Sequence, residues 1–218
     1  MILDKLLDFV YPPCCGFCEK ENKEYLCDSC KRKIEVENRI KGKNKKGRKE
    51  DFYDEILWGF SYKGMLRNKI IAYKFQEQSY LYHTFSTLLL KNKKIYQFLL
   101  KYDTILPVPM ERKKELLRGF NPTYLIAKEL ERHIEGLLLE KNCLVKLRKT
   151  LPQSSLNRKE RQKNLENAFS VRQAEKIENK KVLLFDDVYT TGATVRECSK
   201  MLKEAGVKKL GILTLAKD

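Results

Sequence analysis

The sequence predicts an α/β fold: a parallel sheet flanked by helices, preceded by a small N-terminal module rich in cysteine. Three observations carry this expectation. Short apolar runs alternate with helical patterns over the second half of the chain, the order that a parallel sheet with crossover helices produces. Five of the seven cysteines fall between positions 14 and 30. A hydrophobic share of 42% over 218 residues supplies a sizeable core despite 34% charged residues, which argues against wholesale disorder.

Taken in order, residues 2–10 carry apolar pairs spaced for a short amphipathic helix, stopped by Pro12-Pro13. With the cysteines that follow, they make a first unit over residues 1–36. Residues 37–51 read as a basic linker: Lys31 to Glu50 holds ten basic and three acidic residues, with Gly42 and Gly47 and little apolar periodicity. Residues 52–218 make the main domain. Ile56, Trp58, Phe60 and Tyr62 alternate as a half-buried strand. Leu66, Ile70 and Ile71 predict a helix running to Gln76, and a longer helix is expected over Tyr80 to Lys101. Thr104 to Val108 reads as a strand, and Asn121 to Glu135 as a helix capped by Asn121 with Pro122 at its first position. Cys143 to Leu147 reads as a strand and Leu156 to Asn167 as partly helical. Lys181 to Asp187 is a strand, Thr194 to Ala205 a helix closed by Gly206, and Lys209 to Leu215 a last strand. Cys143 and Cys198 sit alone in apolar contexts and read as core. His83 and His133 lack partner spacing and read as packing or surface residues.

Forty-five Lys plus Arg against 29 Asp plus Glu give a formal charge of +16. Such a surface favours polyanions, whether nucleic acid, phosphorylated metabolites or an anionic membrane face. A merely solvated lysine-rich surface is the alternative, and Asn38 to Lys49 fits it. No apolar run approaches the roughly 18 residues of a membrane span. Asp4 and Asp8 interrupt the start where a signal peptide needs an unbroken apolar region. The expectation is a cytoplasmic protein with no membrane span.

Cys15-Gly16-Phe17-Cys18 and Cys27-Asp28-Ser29-Cys30 form two CxxC knuckles separated by eight residues. Each knuckle can place two thiolates on one tight turn, and two turns complete a four-sulfur site for structural Zn²⁺. Metal would substitute for the core so short a segment lacks, and Gly16 reads as the residue permitting the sharp turn. A disulfide framework would need an oxidising compartment, and a redox CxxC would open a helix of a βαβ unit; neither context is present. Cys14 could replace Cys15 through a CxxxC spacing, although the two-residue gap of Cys15 matches the second knuckle.

The most informative stretch is Val182-Leu183-Leu184-Phe185-Asp186-Asp187-Val188-Tyr189-Thr190-Thr191-Gly192-Ala193-Thr194. Four apolar residues make a buried strand, two acids follow at its carboxyl end, and a small-residue loop leads into a helix. Loop amides and threonine hydroxyls can converge on phosphate oxygens, aided by the helix dipole. The carboxylates can accept bonds from vicinal hydroxyls or help hold a divalent metal. Absence of Gly-Lys-Ser/Thr distinguishes the loop from a Walker motif.

This stretch resembles the phosphoribosyl pyrophosphate (PRPP) signature of type I phosphoribosyltransferases. Two further segments narrow the resemblance: Leu106-Pro107-Val108-Pro109 with Arg112 and Arg118-Gly119-Phe120-Asn121, and Gln153, Leu156, Glu160-Arg161, Asn164-Leu165, Ala168-Phe169. With the double knuckle and Tyr62-Lys63-Gly64, nearly the whole chain resembles the ComF family of competence proteins, which pair a zinc finger with a phosphoribosyltransferase-type domain and are tied to uptake of single-stranded DNA. One departure is Pro122, where the family usually has Gln; a proline suits the first helical turn, but any contact made by Gln is lost.

The resemblance implies roles. Asp186 and Asp187 would contact the ribose hydroxyls, and Val188 with Thr190, Thr191, Gly192, Ala193 and Thr194 would hold the 5′-phosphate. The loop with Pro107 and Val108 would meet the pyrophosphate, Arg112, Lys113 or Lys114 would neutralise its charge, Arg118 would join the PRPP-binding set, and Mg²⁺ would accompany PRPP. Gln153 to Phe169 corresponds to a mobile lid, in which Arg161 would reach the pyrophosphate and join Asp186 and Asp187 as the catalytic set, with Asn164 fixing the lid. Three functions follow. The chain binds PRPP and handles single-stranded DNA during natural transformation, or it transfers phosphoribose to an unidentified nucleobase-like acceptor, or its zinc module docks a helicase or other competence machinery. For the first, Tyr62, Tyr73 and Phe75 interleave with Lys63, Arg67 and Lys74 as a candidate DNA groove, with an internal strand–helix core as the competing reading of those aromatics.

Overall fold

The computed structural model describes residues 14–37, 44–47, 51–149 and 164–218. The helix expected over residues 2–10, Arg161 and most of the stretch from Leu156 to Asn167 lie outside the described residues. The cysteine module leads into α1 (Asp28–Glu37), followed by β1 (Asn44–Lys46), β2 (Glu55–Ser61), α2 (Gly64–Phe75), α3 (Leu81–Leu90) and α4 (Lys93–Leu99). Then come β3 (Thr104–Pro107), α5 (Arg112–Arg118), α6 (Pro122–His133), β4 (Leu138–Leu139) and β5 (Leu144–Lys146). The chain closes with β6 (Phe169–Val171), β7 (Lys181–Tyr189), α7 (Ala193–Glu204) and β8 (Lys209–Lys217).

Six strands form one sheet in the order β1-β2-β8-β7-β3-β4. All its pairings are parallel except that of β1 with β2. Alternation along β7 explains the layering. Leu183 and Phe185 pack with Phe85 and Leu88 of α3 and Ile126 and Leu130 of α6. Val182 and Leu184 pack with Val195, Cys198 and Leu202 of α7 on the opposite face. Both faces are covered, so Val182 to Phe185 reads as an unbroken apolar run. From the adjacent strands β3 and β7 the chain departs in opposite directions, through α5 and α6 to β4 and through α7 to β8. That divergence opens a crevice beyond their carboxyl ends, where open α/β sheets bind ligands.

The cysteine module does not stand apart from this core. Cys15, Phe17, Leu26 and Ile34 belong to the same apolar cluster as Leu81 and Phe85. Phe17 meets Phe85 edge-on at 6.3 Å, Tyr25 stacks on His83 at 4.2 Å, and Glu19 pairs with Lys69 at 2.8 Å. His83, expected as a packing or surface residue, therefore packs against the module. Gly16 has a different reason from the one expected. Its φ is not positive; a Cβ there would lie 2.2 Å from Thr84 Oγ1 and 2.7 Å from Leu81 Cδ2. Close approach to α3, not turn geometry, requires the glycine.

Three further expectations are corrected. The helix expected over Tyr80 to Lys101 is two helices, because the Asn92 side chain accepts hydrogen bonds from Lys94 N and Ile95 N at 3.1 and 3.2 Å and caps α4 afresh. The strand around Cys143 to Leu147 leaves the main sheet: β5 pairs with β6 in a separate antiparallel hairpin. With only Leu144 fully buried along it, β5 lacks the two apolar faces an interior strand needs. Within the basic stretch, Asn44 to Lys46 adds an edge strand to β2. No described helix is long and apolar enough to cross a membrane.

Candidate functional site

At its carboxyl end β7 turns directly into α7. Asp186, Val188, Tyr189, Thr190, Gly192, Ala193 and Thr194 line a small cradle of about 20 Å³ where the strand turns into α7. Gly192 makes the turn possible twice over. Its φ of 77° is left-handed, and a Cβ would meet Tyr189 Oη at 2.2 Å. Tyr189 is itself fixed edge-on against Trp58 at 5.8 Å. Among the described residues, buried Thr191 Oγ1 has no hydrogen-bond partner, so an oxygen-rich ligand would satisfy it. A tight turn at a helix N-terminus with an unspent hydroxyl fits a phosphate group.

The two acids have different surroundings because neighbours on a strand face opposite sides. Asp186 lines the cradle and its Oδ1 accepts the Asp187 N–H at 2.9 Å. Burial first, and then the charge of Asp187, push Asp186 up to about 7 against the pull of Lys74. Asp187, 9% exposed, turns toward α2 and pairs with Lys74 Nζ at 2.8 Å. Lys74, expected on a DNA groove, thus pairs with an acid of the cradle region. The site-building role of this lysine was not legible in its local sequence.

Strand β3 brings the second segment alongside. Pro107 sits in register with Phe185, and Val108 N donates to Phe185 O at 2.9 Å. The Arg118–Asn121 segment supports both parts. Asn121 Oδ1 accepts from Thr123 N at 3.1 Å, capping α6, while Asn121 Nδ2 and Thr123 Oγ1 donate to Val108 O at 3.2 and 2.8 Å. Asn121 and Thr123 therefore fix the loop after β3, a task the sequence reading did not assign. Pro122 occupies the first turn as expected, and its carbonyl accepts from Tyr73 Oη at 2.8 Å. Arg118 lies over the Phe75 ring at 5.2 Å and is coupled electrostatically to Asp187.

Arg112, Lys113 and Lys114 lie on α5, a helix with no buried residue, and are exposed. Arg112 faces not the small cradle but a broader cleft of about 650 Å³ that begins at Pro107. The aromatics of the expected groove separate: Tyr73 is core, Tyr62 is half-buried beneath Arg67 at 5.7 Å, and Phe75 is 72% exposed. Lys63 and Arg67 are exposed. Cys143 and Cys198 are buried, as read.

In the cysteine module, the thiol sulfurs of Cys15, Cys18, Cys27 and Cys30 lie within 4.8 Å of one another, with Cys18 and Cys27 at 3.9 Å. Tetrahedral zinc with bonds of about 2.3 Å separates its sulfurs by roughly 3.8 Å, so the set fits. Cys14 stays outside it, paired by its backbone with Glu21. Burial opposes ionisation of Cys15, yet backbone hydrogen bonds from Cys27, Cys18 and Phe17 bring it down to about 7. Burial, then its hydrogen bonds with Cys27 and Cys18, push Cys30 up. Such a set shares protons among its thiols and would release them to a cation.

Residues 116–218 match the phosphoribosyl transferase domain. Competence protein F of Haemophilus influenzae is 30% identical over 209 residues, covering 93% of this chain and 90% of that protein. Competence protein ComFC of Streptococcus pneumoniae is 32% identical over 161 residues, 72% of this chain and 66% of that one. DNA utilization protein YhgH of Escherichia coli O157:H7 is 29% identical over 115 residues, 53% of this chain and 49% of that one.

Proposed function

This chain belongs to the ComF family, and we propose that it binds PRPP and handles single-stranded DNA during DNA uptake. The observation that carries the reading is the cradle at the end of β7, lined by the left-handed Gly192 and by Asp186, with the unpartnered Thr191 hydroxyl in the same turn. Phosphate would take the turn amides and threonine hydroxyls. Ribose hydroxyls would take Asp186, and Asp187 once Lys74 yields or shares it. The same acids would hold Mg²⁺, which neutralises pyrophosphate when bound. Arg118, held half-buried near Asp187, supplies positive charge beside them. The four cysteines would hold zinc as a structural ion, since their module is part of the main core. The DNA role draws on the names of the relatives and on the formal charge of +16.

The test is whether the two ligands are linked. Fluorescence anisotropy of a labelled oligodeoxynucleotide is measured with and without PRPP and Mg²⁺. The reading expects salt-sensitive strand binding whose affinity changes with PRPP. Strand affinity indifferent to both salt and PRPP would overturn it. A phosphoribosyltransferase would in addition release pyrophosphate in the presence of its acceptor, and a screen of nucleobases separates that activity from binding alone.

A further inference from the structure

The 650 Å³ cleft is built from α5, α6 and the β5–β6 hairpin, and the phosphate cradle uses none of its inner wall. Arg112, Lys141, Lys146 and Arg172 line it, against one acid, Glu115. Among the described residues, Arg112, Lys141 and Arg172 have no carboxylate within ion-pair distance, although nine other described lysines and arginines do. Tyr124 stands in the wall with Lys141 Nζ 4.9 Å from its ring centre and Lys128 Nζ at 6.0 Å.

We infer that this cleft is the binding site for single-stranded nucleic acid, with the cations taking successive phosphates and Tyr124 presenting a stacking surface for a base. The inference rests on the DNA-handling reading above and moves its site away from Lys63, Arg67 and Lys74. Cations spread along the cleft suit a chain of phosphates better than a single one, and an aromatic between them is what an unpaired base requires. A duplex has no free base face to offer it. Burial, and after it the neighbouring Lys114, hold Lys146 below the usual lysine range, a state that a nearby phosphate relieves. The position also explains why PRPP would alter strand binding. Pro107 and Arg112, from the loop and helix after β3, belong to the wall of the cleft, while Val108 is bonded to β7 one residue before Asp186.

Lys141→Glu with Arg172→Glu, and separately Tyr124→Leu, test the assignment by anisotropy with an oligothymidylate, alongside calorimetry with PRPP and Mg²⁺. Lys141 and Arg172 are exposed, so the double variant keeps its fold, which circular dichroism verifies. The charge variant is expected to lose roughly an order of magnitude or more in strand affinity, with a shallower salt slope, by about 0.7 for each phosphate contact removed. Tyr124→Leu is expected to lose roughly fivefold to a hundredfold. PRPP affinity should stand unchanged in both. Unaltered strand affinity in the charge variant overturns the site while leaving the DNA-handling reading intact. Equal loss of PRPP makes the cleft part of the PRPP site instead. Displacement of the oligomer by thymidine monophosphate at similar concentration makes it a mononucleotide pocket, and a wild-type protein that binds no strand sinks both readings.

Discussion

Replacing Gly192 by alanine tests the cradle most sharply, because the structure gives two separate costs. A left-handed φ of 77° costs an alanine about 1–2 kcal/mol. The added Cβ would also lie 2.2 Å from Tyr189 Oη and 2.6 Å from Cζ, so the ring must swing out. It would then lose its edge-on contact with Trp58, worth about 0.5–1.5 kcal/mol. Together the loss is roughly 2–3 kcal/mol, a fall of about 1 M in urea midpoint at a slope of 2–3 kcal/mol/M. In a Tyr189→Leu background the ring cost disappears and only the backbone cost remains, so the two substitutions are non-additive. PRPP affinity should fall roughly tenfold or more in Gly192→Ala, the worth of one charge-assisted hydrogen bond. A variant within about 0.5 kcal/mol of wild type, or one equally destabilised in both backgrounds, would refute the geometry.

Asp186 supplies the pH test. An unfolded aspartate titrates near 4, whereas burial pushes this one up to about 7. Between those values the native state holds the extra proton, so stability falls as pH rises through that window. Asp186→Asn should therefore gain on wild type by a few kcal/mol between about pH 5 and pH 8; parallel profiles in urea titrations would contradict the burial. Lys74→Met strips the cation from a carboxylate that is 9% exposed. Calorimetry should show a loss of about 2 kcal/mol, the worth of a hydrogen bond to a charged group, with strand affinity unchanged, and the opposite pattern would return Lys74 to a DNA groove. Cys14→Ser should retain one zinc per chain by atomic spectroscopy, and Cys30→Ser should lose it and lower the melting temperature of the whole protein. A local loss confined to the module would contradict the shared core around Phe17 and Phe85.

What could be read from the chain alone depended on how local the physics was. The strand from Val182, its two acids and the turn at Gly192 form one contiguous unit, so apolar run, acid pair and small-residue loop all appear in order. The cysteine knuckles are equally local, and their spacing points to the four-thiol set, with only the choice between Cys14 and Cys15 left to the structure. Features made by distant segments were hidden. Lys74 and Asp187 are 113 positions apart, and α2 carries no sign that one of its lysines turns inward. Gly16 looks like a turn residue until α3 is seen against it. Asn92 breaks a run of good helix formers by its side-chain geometry alone. The cationic cleft needs α5, α6 and the hairpin brought together, so its residues read singly as surface.

The central claim, that the turn after β7 binds PRPP, is tested most directly by calorimetric titration of PRPP with Mg²⁺ into wild type and into Asp186→Asn with Asp187→Asn. The account predicts saturable binding to wild type, competition by ribose 5-phosphate, and a large loss of affinity in the folded double variant with strand binding retained. Undiminished PRPP binding in that variant, or none in the folded wild-type protein, would contradict it.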